Sequence, residues 1–329
     1  MREINEMLKK KVSELLENGT ADRIIGWQAG EFCYDVTPAV MRKDNLDELF
    51  YNGFCGANQS KYLIQESLEE GKVLALLKPC DTYSFNQLVK EHRVNREKVY
   101  ALGIPCSGML DVDKIKALGI TGILSIEDNG EEIKVATMYG DKTCKRTEVL
   151  QERCKVCKGK EHKAYDELLI PDEDAPEVPN GEDRFELVNK LEAMTSQERF
   201  DFWRGELSKC IRCNACRNVC PACSCRTCVF DNDNSGVAAK SNADDFEENM
   251  FHIIRAFHVA GRCTDCGECS RVCPQHIPLH LLNRKFIKDI DEFYGEFQAG
   301  EDDTAKGPLT AYTEGDCEPS IVMEKGGEA

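Results

Sequence analysis

The sequence predicts an α/β domain with a mostly parallel sheet, followed by a mainly helical domain built round clustered cysteines. Three observations carry this expectation. Strand-like and helix-like runs alternate between residues 61 and 104. Residues 171–183 hold three prolines and six acids with little apolar content, which reads as a linker. Beyond the linker, helical periodicity dominates. A chain of 329 residues has room for one domain of ordinary size and a smaller one.

The elements follow in order. Ile4, Met7, Leu8, Val12, Leu15 and Leu16 fall at helical spacing, and Asn18-Gly19 stops the run, so residues 1–19 read as a docking or capping helix. Residues 22–37 contain short apolar pieces around Ile24-Ile25 and Phe32 to Tyr34 that fit no single period, and residues 44–50 are charged with an apolar seam. A helix over 61–69 stops at Gly71. A strand over 73–77, a helix over 81–91 and a strand over 99–104 then make a βαβ unit with parallel strands. A short helix at 115–118 and two strands, 122–126 and 133–138, around Asn129-Gly130 complete an α/β domain over residues 20–170. The second domain spans 184–295, with helices at 185–194 and at 196–207, the latter capped by Ser196. A helix over 243–259 would set Phe246, Met250, Ile253, Ile254 and Phe257 on one buried face, and a last helix covers 279–293. Residues 296–329 form an acidic tail.

Charge and cysteine usage exclude several classes. The net charge is -17, from 59 acids against 42 bases, so a phosphate backbone would be repelled and nucleic acid is not an expected partner. The first residues, Met1-Arg2-Glu3-Ile4-Asn5-Glu6, have no apolar run or cleavage site, and no stretch is long enough to span a bilayer. The expectation is a cytoplasmic chain without membrane insertion. Nineteen cysteines in a reducing compartment point to metal rather than disulfides.

One spacing occurs twice: Cys210-x2-Cys213-x2-Cys216-x3-Cys220-Pro221 and Cys263-x2-Cys266-x2-Cys269-x3-Cys273-Pro274. Structural zinc needs four ligands in a tetrahedron, and a third Cys at x2 with a fourth before Pro exceeds that need. Three closely spaced thiolates can close round one iron-sulfur cube, while the fourth is carried past it and ligates the other cluster in two-cluster ferredoxins. That exchange assigns Cys210, Cys213, Cys216 and Cys273 to one 4Fe-4S cluster and Cys263, Cys266, Cys269 and Cys220 to a second. Cys216-x3-Cys220-x2-Cys223 also matches a spacing similar to that of radical S-adenosylmethionine enzymes, but its residues already belong to the ferredoxin-like frame.

A second set sits in the α/β domain. Cys80 and Cys106 each follow a predicted parallel strand, and the carboxyl ends of such strands are where open α/β sheets bind ligands. Cys154-x2-Cys157 adds two more thiols, and the four together suffice for a third 4Fe-4S cluster. Burial as small apolar residues is the competing reading for Cys80 and Cys106. Gly53, Gly56, Asn58 and Ser60 could open the helix at 61–69 with free N–H groups suited to a diphosphate, though a plain helix cap explains the same residues. Lys78 could touch such a cofactor or offset cluster charge, against a solvated lysine as the simpler reading. Cys223, Cys225 and Cys228 could hold a fourth cluster with a remote thiol such as Cys33, Cys55 or Cys144, or pack round the first cube. Cys317 reads as unpaired.

Five stretches, CGANQSKYL (55–63), KPCD (78–81), GIPCSG (103–108), CKVC (154–157) and KCIRCNACRNVCP (209–221), resemble the beta-subunit family of deazaflavin-reducing hydrogenases and deazaflavin-dependent formate dehydrogenases, including bacterial relatives linked to heterodisulfide reductase-type complexes. The resemblance implies an iron-sulfur electron-transfer subunit with FAD in its first domain. Its partners would be a catalytic oxidoreductase subunit and other electron-transfer subunits, and a flavin-free adapter wiring two enzymes together is the alternative. The full reaction would need such a partner.

Overall fold

Five consecutive apolar residues, Val73 to Leu77, bury every side chain and form the middle strand of the first domain's sheet. In the computed structural model, which describes residues 2–176, 178, 183–232 and 245–311, the chain divides into two compact units between Asp183 and Arg184. The first unit contains helix α1 (Arg2–Glu17), strands β1 (Arg23–Ala29) and β2 (Val36–Met41), the single helical turn α2 (Leu63–Glu66), β3 (Val73–Leu77), α3 (Pro79–Lys90), β4 (Val99–Gly103), α4 (Val112–Ala117), β5 (Ile123–Asp128), β6 (Glu132–Thr137), β7 (Lys142–Lys145), the turn α5 (Glu152–Lys155) and β8 (Glu167–Leu168). The main sheet runs β2-β1-β3-β4-β8, with β1, β3, β4 and β8 parallel and β2 antiparallel at the edge. Strands β5, β6 and β7 form a separate antiparallel sheet, whose Ile133 and Val135 join the domain core.

The βαβ unit lies where the sequence puts it, but β1 and β2 are additions. Strand β1 buries both faces, so its residues show no alternation to read. Gly26 lies where a Cβ would come within 2.7 Å of Leu49 Cδ1, so a larger residue there would have to push the Leu49 side chain aside. Strand β2 carries Pro38, tolerated because β2 is an edge. The helix expected over 61–69 is reduced to α2 and a 3-10 turn at Gln59–Lys61.

Helix α1 buries Leu8, Val12, Leu15 and Leu16 in the same core as Trp27, Leu74 and Leu102. Asn5 is tied to the main chain of Tyr51: its carboxamide donates to the Tyr51 carbonyl and accepts the Tyr51 N–H at 2.8 Å.

The second unit contains α6 (Glu186–Glu192), α7 (Ser196–Leu207), α8 (Ala215–Asn218), α9 (Asp245–Val259), α10 (Glu268–Arg271) and α11 (His280–Tyr294). Thr195, not Ser196, caps α7; its hydroxyl accepts the Glu198 N–H while Glu198 Oε2 accepts the Thr195 N–H, a reciprocal capping box. The face expected to be buried on α9 is also corrected. Phe246, Ile253 and Phe257 are exposed, and α9 instead buries Glu248, Phe251, His252, Arg255, Ala256 and Val259. Apolar periodicity misleads here because three of the six buried residues are polar and face thiols or other charged groups. Cys317 lies outside the described residues.

Candidate metal centres

The pairing of Leu77 with Gly103 brings the carboxyl ends of β3 and β4 side by side. Cys80 follows β3 in the first turn of α3, where Pro79 opens the helix, and Cys106 follows β4 in the loop Pro105-Cys106-Ser107-Gly108. Cys154 lies on α5 and Cys157 just beyond it. The chain then passes so close to Cys80 that a Cβ on Gly159 would stand 2.6 Å from the Cys80 backbone nitrogen. The thiols of Cys80 and Cys157 hydrogen-bond, which lowers Cys80 and holds Cys157 well above the usual thiol range. Burial pushes Cys106 up to about 12, with the neighbouring Cys80 and Cys154 adding to the effect. All four thiols therefore converge.

Backbone amides line the same site. Gly108 N–H donates to Cys106 Sγ at 3.4 Å, Met109 N–H to Cys154 Sγ at 3.3 Å and Gly159 N–H to Cys157 Sγ at 3.4 Å. Such donors stabilise thiolate, the form that ligates metal. The Cys106 loop is held by two residues that sequence reading passed over. Tyr51 Oη donates to the Pro105 carbonyl at 2.9 Å, and Arg146, buried and paired with Asp128, donates to the Ser107 and Gly108 carbonyls at 2.7 and 2.8 Å. Four thiols with amide donors fit an iron-sulfur cube.

Lys78 is not solvated. It is 1 % exposed, pairs with Asp81 at 2.8 Å, donates to the Ala57 carbonyl at 3.0 Å and lies 4.4 Å from the Trp27 ring centroid. Burial works against its charge, but Asp81 and the thiols of Cys80 and Cys106 outweigh it and hold the ammonium above its ordinary pKa.

The loop read as a diphosphate cradle is engaged internally. Asn58 Oδ1 accepts the Ser60 N–H, Asn58 Nδ2 donates to Ser84 Oγ, and Ser60 Oγ donates to the Asp81 carbonyl. Gly53 packs against Leu110. Gly56 contributes its carbonyl to Arg153 at 2.7 Å. These are the bonds of a helix cap. A cavity of about 560 Å³ does adjoin Cys106, bordered by Pro79, Lys160, His162, Tyr165 and Leu168.

In the second unit, the two cysteine motifs have the same backbone form. Arg212 and Asp265, two residues after the first Cys of each motif, have φ +52° and +53°, and Asn214 and Gly267 have φ +60° and +68°. Left-handed residues are uncommon outside glycine, and here they turn the Arg212 and Asp265 N–H groups onto Cys210 and Cys263, each at 3.4 Å. The Asp265 carboxylate is gripped by Arg184 and Arg284.

Each fourth cysteine neighbours thiols of the other motif. Cys273 packs in a core that holds Cys210 and Cys216 of the first motif and Cys269 of its own, while Cys220 packs with Cys263 and Val259. Burial raises Cys216, with Cys273 among the thiols adding to it, and burial raises Cys266 well above its usual range, with Cys220 contributing. His252 Nε2 lies 3.3 Å from Cys210 Sγ. Burial, then Arg255 and Arg212, lower the imidazole to about 3, so a neutral ring faces the Cys210 thiol, which burial pushes up to about 12.

The remaining cysteines separate. Cys223 hydrogen-bonds the Cys220 thiol, Cys228 packs beside Phe230 in the motif core, and Cys225 is exposed. Cys55 is fully buried, its thiol accepting the Asn52 N–H at 3.2 Å, and burial raises it to about 12. Cys144 and Cys33 are half-buried in the first unit.

Gly159→Ala is expected to displace the Cys157 loop from Cys80, because the obstacle is backbone and cannot rotate aside. Anaerobic iron analysis should show loss of about four irons per chain, the content of one cube. Full iron content in the variant would separate Cys157 from the first-domain site.

Residues 206–277 match the 4Fe-4S dicluster domain family. The F420-dependent formate dehydrogenase subunit beta of Methanocaldococcus jannaschii is 25% identical over 333 residues, covering 84% of this chain and 87% of that one. The F420-dependent formate dehydrogenase 1 subunit beta of Methanococcus maripaludis is 24% identical over 358 residues, covering 90% of each. A putative ferredoxin-3 of Sinorhizobium fredii is 33% identical over 79 residues, 24% of this chain and 75% of that one. The chain is thus a homologue of F420-dependent formate dehydrogenase beta subunits that carries a 4Fe-4S dicluster domain.

Proposed function

We propose that this chain is the iron-sulfur electron-transfer subunit of a cytoplasmic oxidoreductase complex. Cys210, Cys213, Cys216 and Cys273 would hold one cube, Cys263, Cys266, Cys269 and Cys220 the second, and Cys80, Cys106, Cys154 and Cys157 a third. The observation that carries the reading is that Cys220 lies among Cys263, Cys266 and Cys269 while Cys273 neighbours Cys216. When bound, such cubes accept and release electrons singly. The protein's part is to set that exchange: amide groups donate to the thiolates, Lys78 keeps a positive charge beside Cys80, and burial of Cys216, Cys220 and Cys269 keeps water from the sulfurs. The catalytic partner would be a formate dehydrogenase, a hydrogenase or a heterodisulfide reductase-type assembly, and the relatives named as formate dehydrogenase subunits favour the first. No helix among the described residues is long and apolar enough to cross a membrane.

Anaerobically purified protein should contain about twelve irons per chain on four-iron stoichiometry. About eight would refute the first-domain site, and about sixteen would add a fourth cluster at Cys223, Cys225 and Cys228. Anaerobic pull-down should recover an oxidoreductase subunit.

A second reading, the flavin-free adapter, is favoured by the internal engagement of Asn58, Ser60 and Lys78. FAD implied by the family resemblance could also use the cavity beside Cys106, whose size is within the usual range for ligand sites of about 300–1,000 Å³. Cofactor extraction separates the two: stoichiometric FAD in iron-loaded protein refutes the adapter, and its absence refutes the flavin subunit.

A further inference from the structure

Helix α9 sets Phe251, Arg255 and Val259 four residues apart, so the three share one stripe. Phe251 packs in the core that holds Cys210, Cys216, Cys269 and Cys273, and Val259 packs with Cys220 and Cys263. Arg255 stands one turn from each, between the two groups of thiols. It is 2% exposed, and none of its three guanidinium nitrogens has a hydrogen-bond partner among the described residues. The thiols of Cys269, Cys216, Cys220 and Cys223 are the groups that act most strongly on its charge.

A guanidinium keeps its charge inside proteins, and burying it without an anion is unfavourable. The anion must come from whatever those thiols hold. Three orphan donors in one planar fork can reach more than one acceptor.

We propose that Arg255 donates to sulfurs of both cubes at once and is the positioning residue that raises the potentials of the pair together. This rests on the dicluster reading above. Reduction adds negative charge to a cube, so a fixed cation between the two favours the reduced form of each. His252 differs, since its ring reaches the Cys210 thiol alone.

The test uses the full chain, purified anaerobically as wild type, Arg255→Met and Arg255→Lys, with iron analysis and an EPR-monitored redox titration. In Arg255→Met the reduced-to-oxidised ratio at a fixed solution potential should fall about tenfold at both dicluster cubes, equal to 59 mV for a one-electron couple. The first-domain cube should be unmoved. Arg255→Lys should restore part of the shift, because it keeps charge but not the fork. Loss of both dicluster cubes from Arg255→Met alone, with Arg255→Lys loaded and shifted at both, also supports the proposal. A shift at one cube only, or unchanged potentials in iron-loaded Arg255→Met, overturns it. If Arg255→Met does not fold, an Arg255→Lys protein with wild-type potentials at both cubes overturns it. Wild-type protein without two reducible cubes would instead overturn the dicluster reading, and the proposal with it.

Discussion

Cys273→Ser is expected to remove the cube nucleated by Cys210, Cys213 and Cys216, although it lies in the other motif. Cys220→Ser should do the reverse. The expectation follows from the neighbours: Cys273 lies beside Cys216 of the first motif, and Cys220 lies with Cys263 and beside Cys266 and Cys269 of the second. Each three-cysteine loop is preformed by its left-handed pair, Arg212 with Asn214 and Asp265 with Gly267, so the loop itself should survive the change. What it loses is the fourth thiolate. Iron should fall from about twelve to about eight per chain in each variant, and EPR of the reduced protein should lose a different signal in each. If each substitution removed the signal of its own motif, the crossed assignment would be wrong. A serine that ligates through oxygen would keep the iron but shift the signal, and the shifted signal should still be that of the opposite motif.

Lys78→Met should strongly destabilise the first domain. Lys78 and Asp81 are each 2% exposed in their side chains and 2.8 Å apart, so removing the ammonium strips a buried carboxylate of this cation. Breaking such a pair from one side costs about 3–5 kcal/mol. The midpoint of denaturant unfolding for the first domain should drop accordingly, and the iron assigned to Cys80, Cys106, Cys154 and Cys157 should fall with it. The double change Lys78→Met with Asp81→Leu should recover most of the stability, because no charge is then left buried. It should not recover the iron if the ammonium is needed beside the cube. Equal instability in the single and double variants would show that Lys78 matters through its stem against Trp27 rather than through its charge.

The βαβ unit was legible because its strands are short apolar runs bounded by turn signals, and the eight motif cysteines because ligand spacing is local. Cys80 and Cys106 were legible for a less direct reason: parallel strands place their following loops at one sheet edge. Strand β1 was not, since burial on both faces erases the alternation that marks a strand. Arg146 and Tyr51 were not, because each acts by long-range bonds to backbone carbonyls, which leave no local pattern. The burial of Lys78 was not legible, because its partner, three residues on, becomes buried only when α3 packs on the sheet. Arg255 left a trace, a lone cation in the apolar stripe of Phe251 and Val259, but apolar periodicity alone pointed to the exposed side of the helix.

The bonds from Asn5 to the main chain of Tyr51, and from the Tyr51 hydroxyl to the Pro105 carbonyl, bear on how this protein can be handled. They link the first helical turn of the chain to the loop that carries Cys106. An affinity tag or fusion partner that pulls α1 from its seat would be felt at a cysteine about a hundred residues away, so purification handles belong at the other end. Iron yield from differently tagged preparations is then a readout of whether the first helix is in place.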